Sequence, residues 1–242
     1  MKKGTFLILV KSAVVIALIW YLPTKVQENG QYIQASTVPN ATSPDQQVAR
    51  VASNGKKVHI YNTHQGEEYV SYNVVDGANY LKTCLENQGY QCDVEGNNFE
   101  QYKNVHNISC DKSYSVSKMY LEQSITNNGN YDLIIDFHRD SIDKNLSTLS
   151  YNNKNYAKIM FVVGKSSGKF DRVNQMSEDL SSRANAIVPK ISRGVYVKQS
   201  HYNQGTSDNM LLIEVGAQSN TKEEIMNTVE LLSSIIDGYL KG

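Results

Sequence analysis

The sequence predicts an α/β fold: a single sandwich domain with a mostly parallel sheet flanked by helices, preceded by an N-terminal membrane anchor. Three observations carry this expectation. From Lys56 onward, short apolar runs alternate with longer segments of helical spacing. Gly and Asn separate most of them, as turn residues do. A long apolar stretch instead lies at residues 6–22, directly behind Lys2 and Lys3.

That stretch is the first element. Phe6–Val10 and Ala13–Leu22 flank Lys11-Ser12, and together they reach the ~17 residues that a helix needs to cross a bilayer. A lysine within a span costs about 2.5–3.5 kcal/mol at its centre, although Lys11 lies in the first half and can snorkel. A cleaved signal peptide is the rival reading, with Ala13–Leu22 as its apolar region. Pro23-Thr24-Lys25-Val26 offers no small-x-small cleavage site, which favours an uncleaved signal anchor over residues 1–22. Its lysines then face the cytoplasm, and the rest of the chain lies beyond the cell membrane. Residues 23–55 hold Pro39 and Pro44 among Gln, Asn, Ser and Thr, and read as a polar linker. The folded domain is expected over 56–242.

Within it, residues 57–61 read as a buried strand. Val74, Ala78, Leu81 and Leu85 stand at helical spacing in 73–87, with Gly89 as a stop. Residues 90–94 form a second strand, 114–125 a second helix, and 127–130 a turn. Residues 133–137 and 159–163 are strands, 172–187 a helix, 194–197 and 210–215 strands, and 222–239 a closing helix.

Composition narrows the function classes. Lys and Arg total 24 against 24 Asp and Glu, so the formal net charge is zero and nucleic acid is not an expected partner. At 40% hydrophobic and 20% charged, the chain can build a core and is not a disordered polymer. Cys84, Cys92 and Cys110 have no CxxC spacing, so a cysteine zinc site is not expected. Outside the cell one pair could oxidise, with Cys84 and Cys92 nearest in sequence.

Open α/β sheets place their sites beyond the carboxyl ends of the strands. His64, Glu67 and Glu68 follow the first strand, and His138-Arg139-Asp140 follows the third. Glu214 stands inside Leu211-Leu212-Ile213-Glu214-Val215, where a carboxylate is costly unless paired or metal-bound. Two imidazoles and a carboxylate suit a hydrolytic zinc site, with His64, Glu67 and His138 as ligands. Glu68 is the alternative to Glu67. Glu214 then serves as general base, taking a proton from the attacking water and returning it to the leaving nitrogen. Arg139 is a candidate to bind a substrate carboxylate or polarise the scissile carbonyl. His59, within its strand, reads as a satisfied core residue, and His106 and His201 as surface groups.

Residues 60–69, Ile-Tyr-Asn-Thr-His-Gln-Gly-Glu-Glu-Tyr, resemble a signature block of the stage II sporulation protein P family. Asp136-Phe137-His138-Arg139-Asp140-Ser141 is similar to that family's D-x-H-R-D-[AS] motif. Met160–Gly164, Ser192–Val195, Tyr202-Asn203-Gln204 and Leu211–Gly216 with Asn220 follow in the family's order. A looser likeness reaches the zinc-dependent N-acetylmuramoyl-L-alanine amidases. The resemblance implies a membrane-tethered zinc hydrolase of peptidoglycan that cuts the N-acetylmuramoyl-L-alanine amide and also cross-linking peptides. It implies work with a lytic transglycosylase and a membrane partner during sporulation. Asn62 departs from the family's histidine at that position, and Gly205-Thr206-Ser207-Asp208 departs from its continuation after Tyr-Asn-Gln. Two other functions remain open at this point: an inactive wall-binding tether, and a metallopeptidase acting on proteins.

Overall fold

The computed structural model describes residues 53–242, so the expected anchor and nearly all of the linker lie outside the described residues. Among the described residues no helix is long and apolar enough to cross a membrane.

The domain is built on β1 (Lys57–Tyr61), β2 (Glu68–Tyr69), β3 (Tyr72–Asn73), α1 (Val74–Glu86), β4 (Gln91–Val94), α2 (Phe99–Val105) and α3 (Ser113–Asn128). Then follow β5 (Leu133–Asp140), α4 (Lys144–Ser147), β6 (Thr148–Tyr151), β7 (Lys154–Ala157) and β8 (Ile159–Gly164). The last elements are α5 (Phe170–Ile187), β9 (Ser192–Lys198), β10 (Met210–Ala217) and α6 (Lys222–Lys241). The central sheet has six strands in the order β4-β1-β5-β10-β8-β9. β4, β1, β5 and β10 run parallel, and β8 and β9 are parallel to each other. The β8–β10 pairing is antiparallel, which alternation of elements alone does not reveal.

Strand side chains alternate between faces. Val58 and Ile60, Leu133, Ile135 and Phe137, and Leu211, Ile213 and Val215 all enter one large core beneath α1, α5 and α6. Burying each such side chain is worth roughly 1.5–3 kcal/mol. Phe137 requires a gap in α1, where a Cβ on Gly77 would lie 2.9 Å from its ring. Capping boxes start α1 (Asn73 with Asp76) and α6 (Thr221 with Glu224), satisfying amides that a helix start leaves open.

The opposite face carries a smaller cluster of Tyr61, Phe99, Val116, Leu121, Tyr131, Ile134 and Met210, under α2 and α3. On this face β1 presents His59 and β5 presents Asp136 and His138. His59 is buried, with Nδ1 2.6 Å from Asp93 and its ring stacked on Tyr131.

The elements missing from the expectation are short. β2 and β3 are two residues each, α4 is four and α2 is seven, all too brief for a periodic signal. The β6–β7 hairpin did leave a mark. Its turn residues Asn152 and Asn153 have φ of 47° and 60°, the left-handed pair that a tight hairpin prefers. All three cysteines are unpaired, including Cys84 and Cys92.

Candidate metal centre

β5 and β10 lie side by side with Glu214 directly opposite His138, so both side chains leave the sheet on the same face. His64 arrives from the turn after β1, where the Glu67 amide donates to the His64 carbonyl at 3.1 Å. Asn62 anchors that turn. Its amide group donates to the carbonyls of Phe137 at 2.6 Å and Val74 at 3.2 Å. The buried Asn62 is therefore a structural brace between β5 and the start of α1. Tyr69, whose hydroxyl donates to the Val215 carbonyl, fixes the β2–β3 hairpin over the end of β10.

The structure brings His64, Glu67, His138 and Glu214 to one rim. His138 Nδ1 stands 3.4 Å from Glu67 Oε2, and the His64 and His138 rings meet edge to face with centroids 5.4 Å apart. Two imidazoles bound to one tetrahedral zinc at ~2.0–2.1 Å have centroids about 5 Å apart. Glu67 Oε2 also accepts the Arg139 backbone N–H at 3.1 Å. Glu68 is exposed, whereas Glu67 is half-buried against His138, so geometry separates the two adjacent acids.

Beneath this rim lies Asp136, fully buried, which accepts from the Thr63 amide at 2.9 Å and the Thr63 hydroxyl at 2.7 Å. His138 Nε2 is 2.8 Å from Asp136 Oδ1. Carboxylates in this position orient a metal-bound histidine, and they leave Nδ1, the nitrogen facing Glu67, as the available donor. One buried atom at the rim has no hydrogen-bond partner, Glu214 Oε2. Such orphans are costly in a native protein and commonly mark the place of a missing ion or ligand. Among the described residues, no three His, Cys, Asp or Glu side chains are drawn close enough to hold a metal as they stand. The donor set nevertheless fits zinc, with nitrogen and carboxylate oxygen converging from separate elements.

The electrostatics match. Burial pushes the Glu214 carboxyl up to about 7; His138 opposes this, and Glu67, Asp140 and Asp136 add to it. Burial pulls His138 down, but Asp136, Glu67 and Glu214 outweigh it and hold the imidazole well above its usual range. Burial and the neighbouring His138 lower His64. Without a metal, the carboxylate cluster thus favours the protonated form of His138. That is the field a divalent cation would occupy.

The family model for stage II sporulation protein P matches residues 23–237. The chain belongs to the stage II sporulation protein P family. Stage II sporulation protein P of Bacillus subtilis (strain 168) is 29% identical over 200 residues, 74% of this chain and 50% of the relative. This chain thus spans about half the length of that curated relative. Among solved structures, the CwlD amidase of Clostridioides difficile, in complex with the GerS lipoprotein, aligns with a TM-score of 0.52. It is 14% identical and covers 77% of this chain and 98% of its own. The catalytic domain of the CD27L endolysin targeting Clostridia difficile gives 0.51 at 15% identity, covering 77% and 97%. At these identities the likeness is one of fold.

For a member of the stage II sporulation protein P family, several rim residues escaped the sequence reading. Asp136 carried the same signal as Glu214, an acid within the apolar run Leu133-Ile134-Ile135-Asp136-Phe137. Tyr114 opens α3 with its ring 5.7 Å from His64 and 6.5 Å from His138, and no local pattern announces it. Arg193 pairs with Asp140 at 2.7 Å on the same rim. Arg139 donates from Nε to the Glu68 carbonyl and from Nη1 to the Asp140 carbonyl, leaving three guanidinium N–H groups free of those bonds.

Proposed function

We propose that this protein is a zinc-dependent peptidoglycan hydrolase that cleaves the N-acetylmuramoyl-L-alanine amide, with cross-linking peptides as a second target. The observation that carries this reading is the convergence of His64, Glu67, His138 and Glu214, with a buried unpartnered carboxylate oxygen on Glu214. His64, Glu67 and His138 would hold zinc. When bound, zinc would polarise the scissile carbonyl and acidify a water.

The chain's own residues supply the rest. Glu214 accepts a proton from the attacking water and delivers it to the leaving nitrogen, a task suited to a carboxyl that titrates near 7. A nearby cation lowers that value and keeps the base ionised. Asp136 orients the His138 ring, and the Arg139 amide steadies Glu67. The free N–H groups of Arg139 are placed to bind a substrate carboxylate or carbonyl.

Residues 1–22 would hold the protein at the cell membrane, with the domain outside and acting in sporulation. A lytic transglycosylase and a membrane partner accompany it, as the family resemblance implies. Digestion of purified sacculi by the full chain in detergent, with mass analysis of the fragments, tests the reading. Free lactyl groups on the glycan identify amidase action, and split cross-links with stems attached identify endopeptidase action. Chelation should stop both and zinc should restore them; activity that survives chelation refutes the metal. N-terminal sequencing of the membrane-extracted protein should find residue 1 or 2, and a start between 23 and 55 would show cleavage instead.

A further inference from the structure

Tyr114 packs against both imidazoles of the candidate metal centre. It is the second residue of α3, so it reaches the rim from a helix, whereas His138 and Glu214 come from strands. Its ring stands edge to face with His64, centroids 5.7 Å apart, and lies 19° from parallel to His138 at 6.5 Å. Tyr202 closes a third side, its ring tilted by 64° and its centroid 5.4 Å away. Boxed in this way, the Tyr114 ring has little freedom to turn.

The backbone beneath it is pinned as well. Asn203 donates to the Tyr114 carbonyl at 3.1 Å and to the Ser117 hydroxyl at 3.0 Å. Thr63 gives its own proton to Asp136 at 2.7 Å, so Ser117 is the donor in the 2.9 Å bond between Ser117 and Thr63. This buried chain ties Tyr114 to the acid that orients His138. On the other side, the buried Lys103 donates to Ser113, the residue before Tyr114, at 2.8 Å. Holding Asn203 in place takes strain. Tyr202 and Asn203 have φ of 47° and 57°, which a bulky residue such as Tyr rarely adopts. Strain that a fold sustains in this way gathers at functional sites.

The hydroxyl is the part left without a partner. Buried tyrosine O–H groups usually find one, as Tyr69 does in the Val215 carbonyl. Among the described residues the half-buried Tyr114 hydroxyl donates to none. Burial, Asp136, Tyr202, Glu214 and Glu67 all push it well above the usual tyrosine range, so it stands among the rim carboxylates as an O–H donor. Amide hydrolysis needs such a donor. As the attacking water adds, its oxygen bonds to the carbonyl carbon, its proton passes to Glu214, and the carbonyl π pair moves onto oxygen. Collapse restores the carbonyl and breaks the C–N bond, while Glu214 hands the proton to the nitrogen. A donor fixed beforehand beside the growing oxyanion lowers the barrier, because nothing has to reorganise at that moment. We propose that the Tyr114 hydroxyl is a catalytic group that donates a hydrogen bond to the scissile carbonyl oxygen as negative charge grows there. It keeps its own proton throughout. This rests on the wall-hydrolase reading and adds a residue to its mechanism.

Tyr114→Phe keeps the ring and its neighbours and removes only the hydroxyl. The zinc-loaded full chain in detergent is assayed on a soluble N-acetylmuramoyl-peptide. There kcat should fall about 10²-fold, with KM, zinc content and melting unchanged. A second readout needs no turnover: calorimetric binding of an analogue in which a phosphinate and a methylene replace the scissile carbonyl and nitrogen. The unaltered protein should bind this tetrahedral anion about 10²-fold more tightly than Tyr114→Phe does. Turnover by the variant within about twofold of the unaltered protein overturns the proposal. So does phosphinate binding that is equal, or absent, in the two proteins, and so does loss of zinc along with activity. Sacculus digestion is scored apart from this. Hydroxyl-dependent phosphinate binding with intact sacculi would remove the hydrolase reading and keep the oxyanion role for another amide. Equal digestion of sacculi by both proteins would do the reverse.

Discussion

The two faces of the central sheet divide the labour of this domain. Along β5, Leu133, Ile135 and Phe137 point into the large apolar core, while Ile134, Asp136 and His138 point the other way. Along β10, Leu211, Ile213 and Val215 face the core, and Glu214 faces the rim. Adjacent residues therefore answer to different demands. One face gains free energy by excluding water; the other keeps carboxylates and imidazoles buried at a cost that a bound cation would offset. The lesson is that a single strand residue, shifted by one, changes from scaffold to chemistry.

The sharpest way to break this division is to compare neighbours. His138→Ala should abolish sacculus digestion and strip zinc while leaving a folded protein. Phe137→Ala should cost about 3–5 kcal/mol of stability yet keep zinc in whatever remains folded. Zinc content, melting and turnover on both variants decide it; full zinc in His138→Ala would sink the proposed centre.

Next in size is Glu214→Gln, which retains shape but cannot take a proton. Turnover should fall about 10²–10⁴-fold with zinc retained. A parallel loss of zinc would make Glu214 a ligand, and near-normal digestion would remove it from the mechanism. Glu67→Gln against Glu68→Gln compares acids on opposite sides of one turn. Zinc retention should drop in the first and stay intact in the second, and the reverse result would reassign the ligand.

The smallest effect is on stability. In the metal-free protein Glu214 binds its proton more tightly when folded, at about 7, than when unfolded, at 4.5. The unfolded chain thus loses that proton first as pH rises, so stability declines between about pH 4.5 and 7. The difference is on the order of 2–4 kcal/mol. Metal-free Glu214→Gln should lack this decline, melting like the unaltered protein near pH 4 and above it at pH 8. Identical melting profiles across that range would refute the buried-acid account.

Much of this was legible in the chain because hydrophobic period is a local property. β1 and the strands from 133, 159 and 210 stood out as apolar runs, and α1, α5 and α6 as helical stripes. Each was recovered to within a few residues. His64, His138 and Glu214 were legible for a related reason: polar groups at strand ends, or inside apolar runs, need an explanation. Asp136 meets the same criterion, an acid inside the apolar run 133–137.

What the sequence determined by itself was the alternation of elements, the polar residues that apolar runs could not justify, and the family motifs. Only the tertiary structure decided that β8 runs against β10, that Glu214 stands opposite His138, and that Glu67 rather than Glu68 turns inward. It alone brought Tyr114 to the rim from a helix 50 residues beyond His64. The physical reason is range. Periodicity and burial preference act between near neighbours in the chain, whereas register, strand direction and the meeting of side chains depend on contacts between distant segments, which the packed fold alone selects.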